Sequence, residues 1–159
     1  MTKLEKLKAD LRGLGELAVA FSGGADSSLL LRAAHDVLGA RTIGITIRSP
    51  YMSSREIAEA LEFARFYGIR HEILELDVAE EIKNNPENRC YLCKKAVFSR
   101  LIERARELGF SRVADGTNRD DLGEYRPGLK AKEELGVLSP LINLTKSDIR
   151  ELSRELNLP

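Results

Sequence analysis

Cysteine is nearly missing: the 159 residues hold two, side by side in Cys90-Tyr91-Leu92-Cys93. That usage argues against a secreted domain held by a disulfide framework. No apolar run approaches the roughly 20 residues that span a bilayer. The opening Met1-Thr2-Lys3-Leu4-Glu5-Lys6 lacks the unbroken apolar stretch of a signal peptide. Neither sign of charge is in excess, with 25 Lys plus Arg against 25 Asp plus Glu. The balance supplies no global attraction to nucleic acid or to an anionic membrane, and leaves room only for a local basic patch. Repeats, low-complexity segments and interdomain linkers are also missing. A cytoplasmic chain forming a single domain over 1–159, without a membrane or nucleic-acid partner, is the expectation. Its composition, 43% hydrophobic and 31% charged, is that of a globular protein.

What is present alternates between two periods. Leu4, Leu7, Leu11 and Leu14 recur every three or four residues, as on an amphipathic helix, with Gly13 and Gly15 interrupting it. Leu17 to Phe21 reads as a short buried strand. The polar turn Ser22-Gly23-Gly24-Ala25-Asp26-Ser27-Ser28 follows and opens into a helix over 29–38. Thr42 to Ile47 is a second strand, and Ser53 with Glu56 forms a capping box for a helix ending at Gly68. His71 to Leu76 gives a third strand. A turn cluster at Asn84–Asn88 precedes a helix from about Cys90 to Gly109. Arg112 to Asp115 is a fourth strand, followed by a polar loop over 116–128, a short helix over 130–135, and a last helix from Thr145 with Asp148 completing its capping box. This order predicts an α/β fold, a three-layer α/β/α sandwich around a parallel sheet joined by right-handed crossovers. Ligands of such sheets sit beyond the carboxyl ends of the strands, where the loops after strands one and four both fall.

The first of these loops has the chemistry of a phosphate cradle. Gly23 and Gly24 allow a sharp turn with no Cβ in the way of a ligand. Successive N–H groups can point inward as an anion nest, reinforced by the positive end of the following helix. Ser22, Ser27 and Ser28 offer hydroxyl donors. Asp26 repels phosphate by itself, and makes sense as a Mg²⁺ ligand or as a helix cap. The plain alternative is a Ser/Gly/Asp turn with an N-cap and no ligand. Without Gly-Lys-Ser/Thr the loop is not a Walker A, and without GxGxxG it is not a dinucleotide fingerprint.

Ser22-Gly23-Gly24-Ala25-Asp26-Ser27 resembles the SGGxDS signature of the PP-loop ATP pyrophosphatase superfamily, which includes GMP synthetase, NAD synthetase, asparagine synthetase and tRNA-thiolating enzymes. The resemblance implies a Rossmann-like (HUP-type, adenine-nucleotide alpha hydrolase-like) sheet, with ATP and Mg²⁺ as cofactors. It also implies cleavage between the α and β phosphates, the loop holding pyrophosphate while an acceptor attacks the α-phosphorus. Three more segments, 85–94, 115–128 and 134–141, resemble the LarE branch, so the likeness covers nearly the whole chain. LarE-type proteins are ATP-dependent sulfur transferases that adenylylate a carboxylate of a pyridinium-type precursor in nickel-pincer cofactor synthesis. They continue into a C-terminal part, in many members with a sulfur-giving cysteine. The expectation is therefore a small carboxylate substrate, with a homo-oligomer or a separate chain supplying that part. Other readings remain open: another PP-loop enzyme (tRNA thiolation or an amide-forming ligase), or a non-catalytic adenine-nucleotide-binding protein.

The site expected from the two loops is as follows. Ser22, Gly23, Gly24, Asp26, Ser27 and Ser28 come from the first loop, and Gly116, Thr117 and Asn118 from the second, with Gly116 and Thr117 facing Gly23 and Gly24. Asp26 and Asp121 are the metal ligands, Asp120 being a further acidic candidate. Thr46, at the exit of strand two, meets adenine through backbone. Asp26, Arg126 and Lys130 are the catalytic candidates, the two cations pairing with phosphate or with charge developing in the transition state. The alternatives are a solvated acidic loop and ordinary surface cations. Cys90 and Cys93 share a helix face and are open to three roles: structural, a redox or sulfur-handling pair, or half of a metal site shared between subunits. Two thiolates make half of a tetrahedral site, and His35 and His71 are single and distant.

Overall fold

The computed structural model describes residues 1–48, 53–76, 89–123 and 127–158. The turn cluster at Asn84–Asn88 lies outside the described residues. Four strands, β1 (Leu17–Ala20), β2 (Thr42–Arg48), β3 (Arg70–Glu75) and β4 (Val113–Ala114), form one sheet. The spatial order is β3-β2-β1-β4 and every pairing is parallel. The chain thus starts in the middle of the sheet, builds outward to β3, then crosses back to lay β4 on the other side of β1. The order in which strands are added reverses between β1 and β4, and the loops that follow these two strands line a crevice.

Alternation along β1 decides what covers each face. Leu17, Val19 and Phe21 join a cluster with Leu7 and Leu11 of α1 (Lys3–Leu14), Leu29 to Leu31 of α2 (Ala25–Leu38), Ala60 of α3 (Ser54–Tyr67), and Ile149 and Leu152 of α6 (Lys146–Glu155). Ala18 and Ala20, with Ile43, Ile45 and Ile47 of β2, face Phe98, Leu101 and Ala105 of α4 (Arg89–Glu107). α5 (Pro127–Leu135) packs on α4. Helices therefore lie on both sides, giving the three layers expected. Leu11, Leu29, Leu30 and Leu31 are fully buried, each contributing about 1.5–3 kcal/mol of apolar transfer. Gly44 in β2 makes room for Leu31: a Cβ there would stand 2.8 Å from the Leu31 Cδ2.

The element boundaries follow from caps. Thr2 accepts from the Glu5 N–H while Glu5 reaches back to the Thr2 N–H, and Thr145 and Asp148 do the same for α6. Ser53 accepts from the Glu56 N–H, and α3 ends at Gly68 in the left-handed region, φ 66°. Two expectations are corrected. Gly13 does not interrupt α1, which runs to Leu14 and is closed by Gly15 at φ 80°. More consequential, α2 begins at Ala25 rather than Leu29, so Asp26, Ser27 and Ser28 belong to its first turn. β4 is only two residues long, and Leu138 extends the sheet beyond it by a single parallel bridge to Ala114. No helix among the described residues is long and apolar enough to cross a membrane.

One ion pair ties the starts of the first and last helices together: Lys3 Nζ donates to Asp148 Oδ1 at 2.6 Å. That bond, followed by the one from the Thr145 backbone N–H, holds the Asp148 carboxyl down from 3.8 to about 2. Because the folded value lies below the unfolded one, this contribution is complete above about pH 4 and lost as the pH falls toward 2. Melting curves recorded from pH 5 to pH 2 should therefore show a shallower acid limb for Asp148→Asn than for the wild type. Parallel limbs would contradict the pairing.

Candidate active site

β1 delivers Ser22 to the crevice, and the chain turns at Gly23, whose φ is 86°. That left-handed conformation is strained for any residue with a Cβ. Gly24 is the N-cap of α2 and, unlike the Ser or Thr at the starts of α1, α3 and α6, supplies no side-chain cap. The first-turn N–H groups of α2 have no partner inside the helix and carry its positive dipole end. The serines are turned to building the loop. Ser27 Oγ accepts from the Ser22 N–H at 3.1 Å and meets Ser22 Oγ at 3.1 Å, and the Gly24 N–H donates to Ser22 Oγ at 3.3 Å.

The second loop is pressed onto the first. A Cβ on Gly116 would stand 3.0 Å from both Asp26 Cβ and Ser27 N, and 3.1 Å from the Asp26 carbonyl carbon. Gly116 thus faces Asp26 and Ser27, a correction to the expected facing of Gly23 and Gly24. Asn118 is fully buried, its Nδ2 donating to Asp26 Oδ2 at 3.0 Å and its Oδ1 accepting from the Asp120 N–H at 2.9 Å. It acts as a clamp between the loops. The two adjacent aspartates divide their work within a 3₁₀ turn over Arg119–Gly123. Asp121 Oδ2 accepts from the Asn118 N–H at 2.9 Å, and its residue lines the crevice. Asp120 Oδ2 instead accepts from the Lys146 N–H at 2.9 Å, at the start of α6.

The crevice encloses about 330 Å³. Its polar wall is Ser22, Asp26, Ser27, Asp115, Gly116, Thr117 and Asp121; its apolar wall is Ala20, Phe21, Ile45, Ile47, Val97, Phe98 and Leu101. A polyanion on the first wall and a flat apolar group on the second suit it. Several expected residues stand elsewhere. Gly23 and Ser28 line a separate groove behind the loop, beside Phe63 and Phe66. The Thr46 hydroxyl donates to the Phe21 carbonyl at 2.7 Å and lies 2.7 Å from His71 Nε2. Its one proton is thereby used, so the His71 ring presents N–H at Nε2. Burial also pushes the His71 pKa below its usual value. Strand alternation gives the crevice the side chains of Ile45 and Ile47 and turns that of Thr46 away, whereas the contact expected of Thr46 is through its backbone. Lys130 is exposed on α5 and outside the crevice lining. Arg126 lies outside the described residues, as do the side chains of Cys90 and Cys93, whose backbones start α4.

Two lysines that local pattern did not single out hold the carboxylates of the site. Lys132 Nζ donates to Asp115 Oδ2 and to Thr117 Oγ1, each at 2.5 Å. Asp115 also accepts from Thr117 Oγ1 at 2.9 Å and from Ser139 Oγ at 3.1 Å. Lys146 Nζ donates to Asp26 Oδ2 at 2.7 Å. Asp26 Oδ1 is left buried without a hydrogen-bond partner among the described residues. An orphaned carboxylate oxygen is costly, and a cation satisfies it. Among the described residues no group of three or more His, Cys, Asp or Glu could hold a metal by itself. Mg²⁺, which commonly takes one or two carboxylates and completes its shell with phosphate oxygens and water, fits Asp26 and Asp121.

The chain is similar to a pyridinium-3,5-bisthiocarboxylic acid mononucleotide synthase from Lactiplantibacillus plantarum, 38% identical over 162 residues that cover 99% of this chain and 59% of that protein. It is 27% identical over 177 residues to a glutamine-hydrolyzing GMP synthase component from Thermoplasma volcanium, covering 98% of this chain and 56% of that one. Among solved structures, an NH3-dependent NAD synthetase from Campylobacter jejuni superposes with a TM-score of 0.77 at 16% identity, over 99% of this chain and 75% of that chain. At that identity the likeness concerns the fold. No family model matches the chain. The chain spans about three-fifths of the length of the relatives that are 38–40% identical to it.

The Gly116 contact yields a direct expectation. Gly116→Ala puts a methyl group against backbone atoms that have no room to yield, at a cost of about 1–3 kcal/mol. The loops must part, and the pyrophosphate affinity of the folded variant should drop at least tenfold in calorimetry. Unchanged affinity would show that the two loops do not form one site.

Proposed function

The chain belongs to the PP-loop ATP pyrophosphatase superfamily, among relatives of LarE type, and from that premise we propose that it activates a substrate carboxylate by adenylylation. The observation that carries this reading is the loop pair itself. Asp26 and Ser27, in the first turn of a helix whose N-cap makes no side-chain bond, line a cleft whose other wall is apolar, and Asp26 Oδ1 is buried without a hydrogen-bond partner among the described residues. The polyphosphate lies against the first turn of α2, where N–H groups and the dipole end receive it. Adenine lies on the wall of Ile45, Ile47 and Phe98. Asp26, through Oδ1, and Asp121 would hold Mg²⁺, which when bound neutralises polyphosphate charge and stabilises the leaving pyrophosphate.

In the reaction an oxygen of the acceptor carboxylate attacks the α-phosphorus of ATP. The bond from that phosphorus to the oxygen bridging it to the β-phosphorus breaks, and its electron pair leaves with pyrophosphate. The product is a mixed anhydride of the acceptor with AMP. This chain's part is positional and electrostatic: the α2 N–H groups bind the departing phosphates, and the Asn118 clamp keeps both loops in place. The acceptor is a pyridinium-type carboxylate, and the adenylate is the activated form for LarE-type sulfur transfer in nickel-pincer cofactor synthesis. The likeness to the Lactiplantibacillus plantarum synthase supports that choice.

The protein should transfer AMP to a pyridinium dicarboxylate mononucleotide when ATP and Mg²⁺ are supplied, read as an adenylate-sized mass gain on the acceptor. Asp26→Asn should slow this transfer at least tenfold, about 1.4 kcal/mol or more. Displacement of AMP from the acceptor adenylate by ammonia to give an amide, or AMP transfer to RNA in place of the carboxylate, would replace this reading by an amide-forming or RNA-thiolating one. A folded protein that binds ATP without any turnover would make it a nucleotide-binding module.

A further inference from the structure

Lys146 is the first residue of α6, yet it is tied to both site loops. Its N–H donates to Asp120 Oδ2 at 2.9 Å, and its ammonium to Asp26 Oδ2 at 2.7 Å. The Arg119 N–H donates to the Leu144 carbonyl at 2.8 Å, two residues before. The start of α6 is thus fixed to the second loop while its lysine reaches the first. Asn118 Nδ2 already donates to the same Asp26 oxygen at 3.0 Å, so orientation of that carboxylate does not depend on the lysine alone. What Lys146 adds, and Asn118 cannot, is a positive charge.

Asp26 stands in the first turn of α2 and lines the cleft with Ser27. Alone, it would place a full negative charge where the phosphate chain must lie. Asp121 is a second carboxylate on the same wall. The apolar opposite wall strengthens such repulsion by lowering the local dielectric response. We propose that Lys146 is a positioning residue that acts by charge, cancelling Asp26 through Oδ2 so that an anionic phosphate chain is admitted beside it, while Oδ1, buried without a hydrogen-bond partner among the described residues, is left as the oxygen for a divalent cation. The proposal rests on the nucleotide reading of this cleft and adds to it the rule by which metal and phosphate share one carboxylate.

Charge cancellation has a consequence that a mechanical role lacks. Removing the ammonium leaves one more net negative charge in the cleft. A cation offered alone then binds more tightly, and an anion offered without metal binds more weakly. Loosening α6 would instead weaken both.

The test uses the whole chain and reads binding rather than turnover. Mn²⁺ alone is titrated by electron paramagnetic resonance, and inorganic pyrophosphate is titrated by calorimetry with a chelator present. In Lys146→Met, pyrophosphate affinity should fall at least fivefold and Mn²⁺ affinity should rise at least threefold. Lys146→Arg should restore both to within about twofold of the wild type. Lys3→Met, which cuts the Lys3–Asp148 ion pair at the start of the same helix, should leave both within about twofold. A fall in both affinities in Lys146→Met, or an equal response in Lys3→Met, overturns the charge role. A wild type that binds no pyrophosphate and no ATP instead sinks the nucleotide reading on which it rests. Lys146 is half exposed, so its variants should fold, and a melting curve for each checks this.

Discussion

Gly116 sits where even a methyl group would meet Ser27 N and Asp26 Cβ at 3.0 Å, and the site depends on that closeness. Only with the second loop pressed onto the first turn of α2 can Asn118 reach Asp26, Asp121 enter the same crevice, and Lys146 close on Asp26 Oδ2. A looser junction would leave a glycine turn beside an acidic loop, each solvated separately. The sheet order makes the junction possible: β1 and β4 are neighbours in space although 92 residues separate Asp26 from Asn118. The functional groups therefore gather where the strand order reverses.

Among the described residues one carboxylate oxygen, Asp26 Oδ1, is buried without a hydrogen-bond partner. Asp115 is surrounded by Thr117, Ser139 and Lys132. Removing one partner of a buried pair of this kind costs about 3–5 kcal/mol, so Lys132 belongs to the stability of the second loop as much as to the site. Asp26 has Asn118 and Lys146 on Oδ2 and nothing on Oδ1 among the described residues. One oxygen is spent on holding the residue and the other is buried without a donor among the described residues. That division, together with the uncapped start of α2, distinguishes the loop from an ordinary strand-to-helix turn.

Much of this was legible in the sequence because the deciding interactions are local. A short apolar run over 17–21 and a β-branched run over 42–47 gave the strands, and Ser53 and Thr145 with their acidic partners gave helix starts. The start of α2 was misplaced for a physical reason: Asp26-Ser27-Ser28 are polar and poor helix formers, and the cap is a glycine without a side-chain bond. Lys132 and Lys146 could not be singled out, since their partners lie 17 and 120 residues away and neither spacing repeats within a helix or strand. Asp120 and Asp121 read alike in sequence, but one caps α6 and the other lines the crevice.

The central claim is that this cleft holds ATP so that the break falls between its α and β phosphates. Phosphorus-31 NMR of the protein turning over ATP with Mg²⁺ and a pyridinium carboxylate acceptor tests it most directly. The account predicts growth of the pyrophosphate signal together with AMP or its mixed anhydride with the acceptor. Growth of ADP and orthophosphate in their place would mean cleavage between β and γ, and would contradict it.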